Sequence, residues 1–181
     1  MLFPKTLLSL LCTAALTTST PIEDRALITA QTIISDIKAI NTGVNHARAA
    51  IAAYNGGLVS ETPIVTSFAE IHVANRKGYA DANLASQPFD AADSHAIVQA
   101  VINTVEKTIP AAVDDLKLKK QQFQASGQDA IIKGTLEVLL NDHDTFSAAV
   151  AAKLTSDLAA GEQAIQVIHD AIQSGIDDFS S

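Results

Sequence analysis

Five histidines, at positions 46, 72, 95, 143 and 169, are the side chains of this sequence best suited to holding a metal or moving a proton. A zinc site on a helix needs two such ligands three or four residues apart, and no His has a second His at that spacing, nor is there a His-Glu-x-x-His. The densest run of ligand types is Asn141-Asp142-His143-Asp144, where apolar spacing puts His143 on a helix stripe and its neighbours towards water. His72 adjoins another stripe, as a core or boundary imidazole rather than a base. No Gly-x-Ser-x-Gly elbow, glycine-rich phosphate loop or dinucleotide fingerprint occurs, so no motif places a nucleophile beside a base. The expectation is a protein that is not an enzyme and has no metal or cofactor. Lys117, Lys119 and Lys120 form the one basic cluster, read as a solvated face near a helix end with partner docking as the alternative.

The single cysteine, Cys12, falls in what reads as a secretory leader. Lys5 precedes a mostly Leu and Ala run over residues 6–16, and small Thr and Ser residues follow to Thr20, the three parts of an export signal. The run is about half of the ~20 apolar residues that span a bilayer, and no later stretch comes closer, so no transmembrane segment is expected. Cleavage after Ser19 leaves residues 20–181 as one domain without a thiol. Lys5 is the only charge removed, which takes the formal charge from −8 to −9. An acidic excess of that size repels nucleic acid and anionic headgroups, leaving neutral or apolar partners. There is no Asn-x-Ser/Thr sequon, and residues 175–181 have neither the apolar tail of a lipid-anchor signal nor a Ser/Thr-rich stalk. The expected location is extracellular, with cell-wall association open but no anchor signal seen.

The elements that must position any site are helices. Ala30, Ile33, Ile37, Ile40, Val44, Ala47, Ile51 and Tyr54 alternate spacings of three and four, an a/d seam over more than three heptads. One helix is read over residues 24–54, with Gly43 as a site for a kink and Asn55-Gly56-Gly57 as its left-handed end. Pro63 opens a second helix with the stripe Ile64, Phe68, Ile71, Asn75, Tyr79 and Ala82. Asp90 caps a third, whose stripe Val98, Val101, Val105, Ile109, Ala112, Leu116 and Phe123 meets Pro110. There the helix either kinks or ends near Thr108 and restarts. The fourth stripe runs from Ile132 through Leu136, Leu139, His143, Phe146 and Val150 to Leu154. The fifth comprises Leu158, Ile165, Ile168, Ile172, Ile176 and Phe179. No segment alternates with the period of a strand. The fold class is therefore all-α, a single-domain up-and-down bundle of about five long amphipathic helices.

The order of features resembles the fungal hydrophobic surface-binding protein A family, also called the cell-wall galactomannoprotein family. The matching pieces are a leader followed by Thr20-Pro21-Ile22, the seam ending Tyr54-Asn55-Gly56-Gly57, the segment Lys119-Lys120-Gln121-Gln122-Phe123, and Ala-rich helices to Phe179. The resemblance implies a secreted helical protein that adsorbs to hydrophobic surfaces, some members recruiting a secreted esterase and others binding long-chain fatty acids inside the bundle. It implies no particular polar anchor. The Ser/Thr-rich tail of wall-anchored members is missing from this sequence.

Magnitudes allow lipid cargo. Burying about 16 methylenes at ~0.8 kcal/mol each yields roughly 13 kcal/mol gross. Association costs about 4 to 15 kcal/mol, so a micromolar affinity needs no covalent chemistry. A cavity of roughly 300–1,000 Å³ would hold such a ligand, whereas a dry seam would mean that Ala merely lets the helices approach. The first reading is a fatty-acid or amphiphile binder lined by Ile37, Val44, Ile51, Phe68, Ile71, Val101, Val105, Leu116, Phe123, Leu136, Leu139, Phe146, Ile165, Ile168 and Ile172. The alternative is a surface-active protein that spreads on hydrophobic surfaces and docks a secreted esterase. For the leader, amino-terminal sequencing of protein recovered from culture medium is expected to begin at Thr20, and a chain still starting at Met1 would refute the assignment.

Overall fold

A computed structural model describes residues 28–180; the leader assignment, with Cys12, lies outside them. The helices are α1 (Ala30–Ala53), α2 (Leu58–Leu84), α3 (Ala91–Asn103), α4 (Val105–Leu118), α5 (Lys120–Ala125), α6 (Asp129–Ala151) and α7 (Leu158–Asp178). They make five rods, because single residues, Thr104 and Lys119, separate α3 from α4 and α4 from α5. The described residues contain no strand, and no helix among them is long and apolar enough to cross a membrane.

Where the rods begin and end follows from local chemistry that periodicity does not register. Rod one starts at Ala30, not near residue 24, because the Thr29 and Thr32 side chains reciprocally bond each other's backbone N–H in a capping box. It then runs unbroken through Gly43. Gly56 and Gly57 take φ of +96° and +86°, and α2 starts immediately after them, five residues before Pro63. Asp90 caps α3 as its sequence suggests, its carboxylate accepting from the Asp93 N–H at 2.8 Å. The helix does not end near Thr108: the break falls at Thr104, whose N–H donates to the Val101 carbonyl and whose hydroxyl donates to the Ala100 carbonyl. Pro110 then lies inside α4. In the fifth rod Leu158 is exposed, and Gly161 and Ala164 take the buried face instead.

The rods close into a ring. In order around it, α1 packs on α2, α2 on α6, α6 on α7, α7 on α4 and α4 on α1. One end is plugged by aromatic rings: Tyr54 stacks on Phe123 at 4.3 Å and 14°, and Phe123 meets Phe179 edge-on at 6.0 Å. The lysine cluster serves this end rather than a solvated face. Lys119 Nζ donates to the Tyr54 carbonyl at 2.7 Å and Lys120 Nζ to that of Asp178 at 2.6 Å, satisfying the C-terminal ends of α1 and α7. Lys117 Nζ reaches Ser174 Oγ at 2.9 Å. At the other end the buried Phe89 docks against the α6–α7 connection, its N–H donating to the Lys153 carbonyl at 2.8 Å while Thr155 Oγ1 donates to the Phe89 carbonyl at 2.7 Å.

Glycines set two of the ring's contacts. A Cβ on Gly43 would stand 2.9 Å from Ile71 Cγ1, and one on Gly78 would stand 2.7–3.1 Å from three atoms of the Phe146 ring. Gly43 is thus a close approach of α1 to α2. Gly78→Ala is expected to lower stability by about 1–3 kcal/mol, since a buried ring must move. Gly134 on α6 has open space around it, so Gly134→Ala should raise stability by roughly 0.5–1 kcal/mol through helix propensity. Urea titration of both variants checks the contrast, and equal effects would refute it.

Burial also raises the pKa of Glu61, which is 4% exposed. A carboxyl whose folded pKa lies above its unfolded one costs stability once ionised, and that cost disappears below the unfolded value of about 4.5. Glu61→Gln is expected to raise Tm at pH 7 and to leave it unchanged at pH 4. A Tm gain that persists at pH 4 would exclude ionisation as the cause.

Candidate functional site

The ring surrounds an apolar cavity. It runs along the inner faces of α1, α2, α3, α4, α6 and α7 and offers about 110 Å³ of space to the centre of a water molecule. That is several times the ~10–15 Å³ one water needs, so the axis is a void and not a dry seam. It is also below the ~300–1,000 Å³ of ordinary ligand pockets.

Thirteen of the fifteen residues expected to line a cavity do face it: Ile37 and Val44 from α1, Phe68 and Ile71 from α2, Val101 from α3, Val105 and Leu116 from α4, Leu136, Leu139 and Phe146 from α6, and Ile165, Ile168 and Ile172 from α7. Ile51 and Phe123 do not. Phe123 is stacked into the aromatic plug, and Ile51 lies one turn from its partner Tyr54 on α1, so both are fully buried beyond the cavity's end.

The wall is wider than the seams. Ile40, Ala47, Val98, Ile109, Ala112, Val150 and Leu154 were stripe residues and also line it. Ile97, Val113, Ser147 and Ala151 lie one position beside a stripe, and Gly161 belonged to none. A helix facing a void presents an arc of more than ~100°, broader than the a/d line of two helices in contact, and that breadth is the signal seam counting omits.

Three lining residues are polar: Asn75, His143 and Ser147. Asn75 Nδ2 donates to the Ile71 carbonyl at 3.0 Å. His143 Nε2 lies 3.1 Å from the Ile165 carbonyl, and its Nδ1 lies 3.3 Å from Ser147 Oγ. Burial pulls the His143 pKa below the usual imidazole value; the Ile165 hydrogen bond and Asp144 oppose this, while His169 adds to it.

The side chains beside His143 disperse. Asp142 is buried and pairs with His72 Nδ1 at 2.5 Å, while Asp144 pairs with His169 at 2.9 Å. His46 pairs with Glu70 at 2.9 Å and His95 with Asp157 at 3.2 Å. No group of three or more His, Cys, Asp or Glu among the described residues is placed to hold a metal. What the cavity can do chemically is to take apolar matter out of water, with a small polar patch at His143 and Ser147.

Known proteins share this architecture. AfMp4p, solved in complex with palmitic acid, matches with a TM-score of 0.79 at 25% identity over 83% of this chain and 99% of that one. Ligand binding domain 1 of the Penicillium marneffei MP1 protein, complexed with arachidonic acids, matches with a TM-score of 0.75 at 25% identity over 81% and 95% of the two chains. In sequence, cell wall mannoprotein 1 of Aspergillus fumigatus is 30% identical over 99% of this chain, and that of Aspergillus flavus is 28% identical over 89%. The chain spans 60% and 57% of the length of those two relatives. The family model for hydrophobic surface binding protein A matches residues 30–152, from the start of α1 to the end of α6. Since that stretch carries four of the five rods, the chain belongs to the hydrophobic surface binding protein A family.

Proposed function

We propose that this protein is a secreted, non-enzymatic binder of long-chain fatty acids or similar amphiphiles, which it holds among the inner faces of its helices. The observation that carries this reading is the mostly apolar void along the axis of the ring. The palmitic acid and arachidonic acids named with AfMp4p and the MP1 domain support it. The described helices contain no cysteine, so the rods can separate to admit a chain without breaking a bond. Export through the leader at residues 1–19, ahead of a lipid-binding domain at 20–181, belongs to the same proposal.

Native mass spectrometry of the protein purified from its own secretion is expected to show a co-purifying lipid or, after extraction, uptake of palmitate. Val101→Phe and Ala112→Leu fill the cavity. Each should reduce palmitate affinity about tenfold or more while leaving Tm unchanged or higher, since added apolar atoms occupy space rather than displace neighbours. A wild-type chain that is empty and takes up no palmitate would overturn the proposal.

A second reading is adsorption to hydrophobic surfaces, with docking of a secreted esterase as its extension. It draws on large apolar side chains exposed near the end that holds the aromatic plug: Val59 at 89%, Leu118 at 80% and Leu58 at 68%. Adsorption to apolar beads stronger than that of an unrelated acidic globular protein, and reduced by Val59→Ser with Leu118→Ser, is the expected result. Equal adsorption by both proteins would remove this reading.

A further inference from the structure

The polar patch of the cavity has a fixed hydrogen-bond direction. The Ile165 carbonyl can only accept, so His143 Nε2 carries a hydrogen and donates to it. On a neutral ring Nδ1 is then a bare acceptor, and the Ser147 hydroxyl donates its only hydrogen to it across 3.3 Å. Burial favours that neutral ring. The titratable groups around His143 pair with one another: Asp144 of α6 with His169 of α7, and Asp142 of α6 with His72 of α2. None of these four lines the cavity, and no Asp, Glu, Lys or Arg does.

Ser147 therefore offers lone pairs, not a hydrogen, to whatever fills the void. A carboxylate can only accept, and on this wall it would find no cation and no Ser147 hydrogen; the second hydrogen of Asn75 Nδ2, on α2, is the one side-chain donor left to it. An ionised carboxylate in such surroundings takes a proton instead of staying charged. A head that brings its own hydrogen completes a relay, from head O–H to Ser147 Oγ, from Ser147 O–H to His143 Nδ1, and from Nε2–H to the Ile165 carbonyl.

The geometry points to Ser147, oriented by His143, as a head-group anchor that selects uncharged, hydrogen-donating heads, namely long-chain alcohols and protonated fatty acids, over carboxylates and esters. This rests on the cavity being a lipid site and adds its specificity. A fatty acid that is ionised in solution then binds with uptake of one proton, which the bound acid carries.

Delipidated protein titrated with dodecan-1-ol, dodecanoic acid and methyl dodecanoate tests the anchor. At pH 7.5 the alcohol should bind about fivefold more tightly than the ester, the ratio expected for one hydrogen bond. Dodecanoic acid should lose close to tenfold in affinity per pH unit from 6 to 8, with the alcohol unchanged. Ser147→Ala should close the gap between alcohol and ester. Equal binding of alcohol and ester by the wild-type protein, a flat pH profile for the acid, or a gap that survives Ser147→Ala would overturn the anchor and leave the cavity reading intact. Failure of all three ligands to bind would overturn both.

Discussion

Five helical rods joined in a ring, with α2 against α6 and α4 against α1, leave an axis that Ile, Val and Ala side chains do not fill. In a bundle of two facing pairs, inner side chains meet across the middle. Here each rod has its firm contacts at its flanks, and its inward face meets a void. Packing between aliphatic flanks is the interaction on which everything else depends. The described rods contain no cysteine, so no disulfide among them fixes the width of the cavity.

The polar side chains are arranged to leave that axis undisturbed. His46 with Glu70, His72 with Asp142 and His169 with Asp144 pair α1 with α2, α2 with α6 and α6 with α7. Lysines that cluster in sequence are spent on carbonyls and a hydroxyl at the aromatic end. Asp, Glu, Lys and Arg are thereby kept off the inner wall. His143 is the exception, a titratable group on the inner wall, and a carbonyl on one side with a hydroxyl on the other keep its hydrogen bonds satisfied without charge.

The stripes were legible because each rod buries a face against two neighbours, and that face repeats with helical period. Helix ends were less so. The capping box at Thr29 and Thr32 and the break at Thr104 depend on side-chain hydrogen bonds that hydrophobic spacing does not register, so the break falls six residues before Pro110, which lies inside α4. Gly43 has the composition of a kink and the role of a contact. Only the position of Ile71 on the neighbouring rod distinguishes the two.

From the amino-acid order alone came the helical class, five apolar faces, an acidic surface and most of the side chains that face the axis, since all of these follow from periodicity and composition. Which rods are neighbours did not. The second rod lies beside the fourth and not the third, an arrangement in which Gly78 fits against Phe146 and His72 pairs with Asp142 across 70 residues of chain. That choice turns five seams into the wall of one cavity, drops Ile51 and Phe123 from it and brings Ser147 in. Periodicity describes each helix against an average environment, whereas a cavity is a property of the gaps between particular partners.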